Sequence, residues 1–184
     1  MIINKNNGLI DGIRYICSPN HDERPAKAQP ELLVIHNISL PPGEFGGSYI
    51  DQLFTNQLNP NEHPYFQQIN SLQVSSHALI RRSGEIVQYV PFHQRAWHAG
   101  ASSYCGRECC NDFSIGIELE GTDDLPFEDI QYQQLAKLIR ALWRTYPEIP
   151  KDAITGHSDI APGRKTDPGP AFNWTKLKQL LKTE

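Results

Sequence analysis

Four apolar residues in unbroken succession, Leu32-Leu-Val-Ile35, run straight into His36, and this short stretch constrains the chain more than any other. A continuous apolar run of this length reads as a strand covered on both faces, here Leu32 to Ser39. Alternation places Leu32, Val34 and His36 on one face and Leu33, Ile35 and Asn37 on the other. An imidazole at the end of a buried strand is rigidly held yet reachable from a cleft. That suits a preorganised metal ligand, although a core histidine bonded to a backbone carbonyl would show the same pattern.

Such a strand needs companions. Leu9 to Ile16 and Ser114 to Glu120 read as strands. Ser76 to Arg81 and Glu85 to Val90 flank Arg82-Ser83-Gly84, a hairpin turn in which Gly supplies a positive φ. Polar and proline-rich residues from Ser18 to Pro30 form a loop. Ser48 to Gln57 predicts a helix, while Pro60 and Pro64 interrupt Asn59 to Asn70. Phe127, Ile130, Leu135, Leu138, Ile139 and Leu142 recur at helical spacing. Glu128 and Asp129 at the start of that helix and Arg140 and Arg144 at its end match the helix dipole, with Pro126 near the first turn. A short strand, Ala153 to Gly156, leads into a Pro/Gly-rich loop, and Asn173 to Lys182 closes the chain as a helix. This order predicts an α/β fold in the broad, mixed α+β sense. A central mixed sheet is flanked by helices, with the metal site in a cleft at the sheet edge, and the pattern is not a regular doubly wound one.

At 184 residues and 39% hydrophobic content, the chain is long enough for one globular domain, residues 1–184 with a core about 30–170. No stretch approaches 18 apolar residues, which argues against a membrane span. Met1 to Gly8 shows no apolar signal region, so the expected location is the cytoplasm. The net charge is −4 without a lysine-arginine block, which argues against a nucleic-acid surface. No membrane partner and no obligate protein partner are implied. Cys105, Cys109 and Cys110 lie close together, with Cys17 far away, a spacing that fits neither a zinc knuckle nor a disulfide scaffold. Reduced thiols are expected.

Of the seven histidines, His157 has the most informative surroundings: Gly156-His-Ser-Asp-Ile-Ala-Pro-Gly-Arg-Lys-Thr-Asp-Pro-Gly169. The stretch offers an imidazole and a carboxylate ten residues on, in a loop whose prolines limit its wandering. Pro168 biases Asp167 to an extended conformation. Two histidines and one carboxylate would leave a catalytic zinc its open fourth position for water. Asp159 competes with Asp167 for the third place; two residues after His157, it could instead cap the loop or orient a ligand. In Ile115-Gly-Ile-Glu-Leu-Glu120, Gly116, Glu118 and Glu120 share one face, and Gly116 leaves room beside Glu118. A half-exposed edge strand with a charged outer face would look the same.

These segments, with Val34-Ile-His-Asn-Ile-Ser39, His77-Ala-Leu-Ile-Arg-Arg82, Trp97-His-Ala-Gly100 and Asn111-Asp-Phe-Ser-Ile-Gly-Ile-Glu-Leu-Glu-Gly121, run through nearly the whole chain. In them the chain resembles the zinc-dependent N-acetylmuramoyl-L-alanine amidases, whose fold is shared with a phage lysozyme and the peptidoglycan recognition proteins. More narrowly, it is similar to the cytosolic members that act on 1,6-anhydro-N-acetylmuramyl-L-alanine peptides in cell-wall recycling. The resemblance implies one Zn2+ per chain on His36, His157 and Asp167. It implies Glu118 as proton carrier, Lys165 at the oxyanion, and Asn37, Trp97, His98 and Ala99 along the substrate cleft. Asp159 becomes a loop residue. The implied reaction is hydrolysis of the amide between the lactyl group and L-alanine of a small muropeptide. A lytic amidase acting on intact peptidoglycan and a non-catalytic muropeptide-binding module are the alternatives. Gln73 and Cys109 stand where relatives often carry arginines that meet the acidic stem peptide, leaving Arg81, Arg82, Arg107 and Arg164 as substitutes.

Overall fold

The apolar run is an interior strand. In the computed structural model, which describes residues 1–182, the strands β1 (Arg14–Tyr15), β2 (Leu32–Ile38), β3 (Ala78–Ile80), β4 (Ile86–Gln88), β5 (Ser114–Glu120) and β6 (Ile154–Gly156) form one mixed sheet. Its order is β6-β2-β5-β3-β4-β1. The first four strands in that order run parallel; β4 is antiparallel to β3 through the Arg82–Gly84 turn, and β1 is parallel to β4. Helices α1 (Tyr49–Phe54), α2 (Phe66–Ile69), α3 (Asp129–Thr145), α4 (His157–Ile160) and α5 (Trp174–Lys182) cover the sheet. No helix of the described residues is long and apolar enough to cross a membrane.

Alternation along β2 and β5 divides the core. Leu33, Ile35, Ile115, Ile117 and Leu119 pack against Leu135, Ile139 and Leu142 of α3 and Leu177 of α5. Each such side chain, fully buried, contributes about 1.5 to 3 kcal/mol. On the opposite face, Leu79 and Val87 collect Ile50, Leu53 and Phe54 of α1 and Phe66 of α2. Leu32 and Val34 pack there with Ala99, Phe113 and Ile160. His36 and Glu118 belong to this second face. At the start of α3, the Glu128 N–H donates to Gln131 Oε1 at 3.0 Å, while Gln131 Nε2 donates to the carbonyls of Ile80 and Glu120 at 3.1 and 3.0 Å. That side chain ties the helix across β3 and β5.

Several expectations change in detail. Leu9 to Ile16 is not one strand: Gly12, at φ +71, turns the chain between Leu9–Ile10 and β1. β5 lies in the sheet interior with all seven residues buried, so the charged-edge reading of Glu118 and Glu120 does not hold. Pro126 precedes α3, whose N-cap is Glu128. α4 forms within the loop expected after Gly156, and His21–Asp22, inside the loop expected from Ser18 to Pro30, pairs with Arg95–Ala96.

Candidate active site and metal centre

Strand pairing brings the first two functional side chains together. His36 on β2 and Glu118 on β5 are register partners, so both side chains project from the same face of the sheet. They line a cleft of about 330 Å³ that also receives His98, His157, Lys165 and Asp167. A larger cavity of about 520 Å³, lined by residues such as Glu31, Tyr104, Arg107 and Asp152, lies apart from these groups.

His157 opens α4 directly after β6, and the loop beyond α4 carries Asp167 back to it. Three contacts hold that loop. The Ser158 N–H donates to the Asp167 carbonyl at 2.9 Å. Asn37 Nδ2 donates to the Pro168 carbonyl at 3.1 Å and to Asp123 Oδ1 at 2.7 Å. Gly156 makes room for Pro168, because a Cβ there would lie 2.9 Å from the proline Cδ. Asp159 turns the other way. Its Oδ2 accepts from Thr155 Oγ1 and the Gly156 N–H, both at 2.9 Å, capping α4.

Three donor atoms converge. His36 Nδ1, His157 Nδ1 and Asp167 Oδ2 lie 3.0 Å from one another. Among the described residues this is the one cluster of histidine, cysteine and acidic side chains arranged to hold a metal ion. His157 Nε2 lies 3.1 Å from the Ala99 carbonyl oxygen. A carbonyl only accepts, so Nε2 carries the proton and Nδ1 faces the other donors bare. The donor chemistry fits a metal.

Electrostatics agree. Burial, reinforced by the charges of His157 and Lys165 and opposed by Asp167, pushes the His36 pKa down to about 4. The ring is neutral at neutral pH, as ligation requires. Burial alone would raise the Asp167 carboxyl, but the two imidazoles beside it hold it well below the usual range. Burial first, then the Asp167 charge, pushes Glu118 well above its ordinary value, against the pull of Lys165. Glu118 Oε2 is buried without a hydrogen-bond partner.

The remaining expected cleft residues divide. Asn37 and His98 line the cleft. Trp97 does not; its indole donates to Asp22 Oδ1 at 3.2 Å. Ala99 is buried and takes part through its carbonyl. None of the four substitute arginines lines the cleft. Arg81 pairs with Asp51 and Arg107 with Glu31, at 3.0 and 2.6 Å. Arg82 pairs with Glu128, and Arg164 donates to the carbonyls of Ala99 and Ala101 at 2.5 and 2.7 Å. Among the described lining residues Lys165 is the only lysine or arginine. One wall went unread in the sequence: Leu53, Phe54, Ile69 and Leu72 give the cleft an apolar side. Only the helical pattern of Ser48 to Gln57 hinted at it.

Residues 26–170 match the profile of the N-acetylmuramoyl-L-alanine amidase family. The chain belongs to the N-acetylmuramoyl-L-alanine amidase family. This amidase is 62% identical over 177 residues to the Escherichia coli 1,6-anhydro-N-acetylmuramyl-L-alanine amidase AmpD, covering 96% of each chain. Its fold matches the crystal structure of a selenomethionine AmpD derivative with a TM-score of 0.95 and 60% identity, covering 98% of this chain and 99% of that one. It is also similar to the Escherichia coli amidase AmiD, solved with the substrate anhydro-N-acetylmuramic acid-L-Ala-D-gamma-Glu-L-Lys. That match has a TM-score of 0.59 and 32% identity, covering 86% of this amidase and 60% of AmiD.

Proposed function

We propose that this amidase is zinc-dependent and hydrolyses the amide between the lactyl group of 1,6-anhydro-N-acetylmuramic acid and L-alanine, recycling wall fragments in the cytosol. The observation that carries the proposal is the convergence of His36 Nδ1, His157 Nδ1 and Asp167 Oδ2 in one cleft with Glu118. The substrate class follows from the likeness to AmpD and to the substrate-bound AmiD.

His36, His157 and Asp167 would hold one ion per chain, with a fourth position open. When bound, zinc lowers the pKa of water from 15.7 to about 7 and polarises a carbonyl oxygen. Glu118 accepts the proton that water gives up as its oxygen bonds to the lactyl carbonyl carbon. The same carboxyl then delivers that proton to the L-alanine nitrogen as the C–N bond breaks. The second proton of the water passes from the new carboxyl to the freed amine, leaving a lactyl carboxylate and an ammonium. A carboxyl of ordinary pKa, about 4.3, sits roughly three units below such water. Burial of Glu118 narrows that gap. The Lys165 ammonium stabilises the tetrahedral oxyanion, an effect worth about 3 to 4 kcal/mol for one such donor. Asn37 and the apolar wall shape the space for the sugar and peptide.

Turnover of soluble 1,6-anhydro-N-acetylmuramyl-peptide should exceed turnover of intact sacculi at equal bond concentration. Preference for sacculi would overturn the recycling assignment in favour of a lytic one.

A further inference from the structure

The rings behind the donor cluster form a chain whose proton positions are determined by one contact. Ser114 Oγ lies 2.5 Å from the Cys110 carbonyl oxygen and 3.0 Å from His98 Nε2. A carbonyl oxygen only accepts, so the single hydroxyl hydrogen lies on the Cys110 side. Ser114 Oγ must therefore accept from His98 Nε2–H. His98 is buried, with 9% of its surface exposed, and has no carboxylate among its hydrogen-bond partners. A charged ring there would be costly, so it is neutral and its Nδ1 is bare. That Nδ1 lies 2.9 Å from His36 Nε2, which must be the donor. His36 then carries its proton on Nε2.

We propose that His98 is a positioning residue which, through Ser114, locks His36 in the tautomer that leaves Nδ1 bare toward His157 and Asp167. The inference rests on the metal reading above. With His157 fixed in the same sense by Ala99, three bare donors meet, an arrangement that a metal cation satisfies. The lock is built from two separate segments. Asn111 Oδ1 accepts from the backbone N–H groups of His98 and Ala99 at 3.1 and 2.8 Å. Gly116 clears the ring's place, since a Cβ there would lie 2.4 Å from the His98 ring. The space beside Glu118 thus holds an imidazole.

The test is a long-range proton–nitrogen correlation spectrum of the metal-free wild-type protein, with zinc affinity measured by chelator competition. His36 should be the Nε2–H tautomer; an Nδ1–H tautomer would overturn the proposal. His98→Phe should weaken zinc binding by roughly 10- to 100-fold. His98→Asn, which keeps an acceptor at the δ position, should restore most of it. Equal affinity in His98→Phe and wild type would make the role merely structural. If the wild-type protein binds no zinc, the metal reading itself fails, and the tautomer result stands separately.

Discussion

Glu118 lies directly opposite His36 in the parallel pairing of β5 with β2. One register thus sets a proton carrier beside a metal-ligand candidate, and a one-residue slip of β5 would turn Glu118 toward α3 and away from His36.

Glu118→Gln should leave a folded protein that still binds zinc, with kcat reduced by about 10²- to 10⁴-fold. The buried carboxyl oxygen lacking a partner also makes a stability prediction. Replacing an unsatisfied, desolvated acid by a neutral isostere should raise the melting temperature of the metal-free protein. Calorimetry beside the kinetic assay reads both effects; near-normal turnover would refute the assigned role.

Lys165→Ala and Asp167→Ala should fail differently. The first should lower kcat by roughly 100-fold or more with zinc content intact, whereas the second should strip the metal. Asp159→Ala removes the cap of α4 and should cost about 0.5 to 2 kcal/mol of stability with the donor set still in place. Elemental analysis of the three purified variants separates them.

Gly116→Ala should act on the metal through His98. The added methyl overlaps the ring, so the protein should lose about 1 to 3 kcal/mol of stability and bind zinc more weakly. An unchanged zinc affinity in a well-folded variant would show that the ring's position does not govern the site.

Acid should destabilise the fold through His77. The Gly116 N–H donates to its Nδ1 and its Nε2 donates to the Gln94 carbonyl, both at 3.0 Å. Burial first, then the Arg24 charge, pushes its pKa down to about 3. The unfolded chain takes that proton near pH 6.5. Between those values the unfolded state binds more protons, so stability falls as pH drops through the window and is unaffected above it. The loss at pH 5 is about 2 kcal/mol. Denaturant midpoints at pH 7 and 5 should show a smaller acid loss in His77→Asn than in wild type; equal losses would contradict the assignment.

Much of this was legible because long strands carry a period. The alternation in Leu32–Asn37 and Ile115–Glu120 separates the face packed on α3 from the face bearing His36 and Glu118, and the structure keeps that separation. Two-residue strands such as His21–Asp22 and Arg95–Ala96 have no period to read. The four-residue α4 is hidden among prolines and glycines. Asp11-Gly12 breaks the Leu9 to Ile16 segment that reads as one strand. The lock on His36 was invisible for a different reason. Ser114 and Asn111 reach across from another segment, and a hydroxyl at the head of a buried strand does not say what it bonds. The only hint was a serine at the head of the strand Ser114 to Glu120. Gly116 was legible as a space, but what fills it was not.

The chemistry of the cleft turns on the metal. The most direct measurement is titration of zinc into metal-free protein while following L-alanine-peptide release from 1,6-anhydro-N-acetylmuramyl-peptide. Activity should be absent at the start, rise in proportion to added zinc and level off at one ion per chain. Full turnover in protein shown by elemental analysis to hold no metal would contradict zinc dependence.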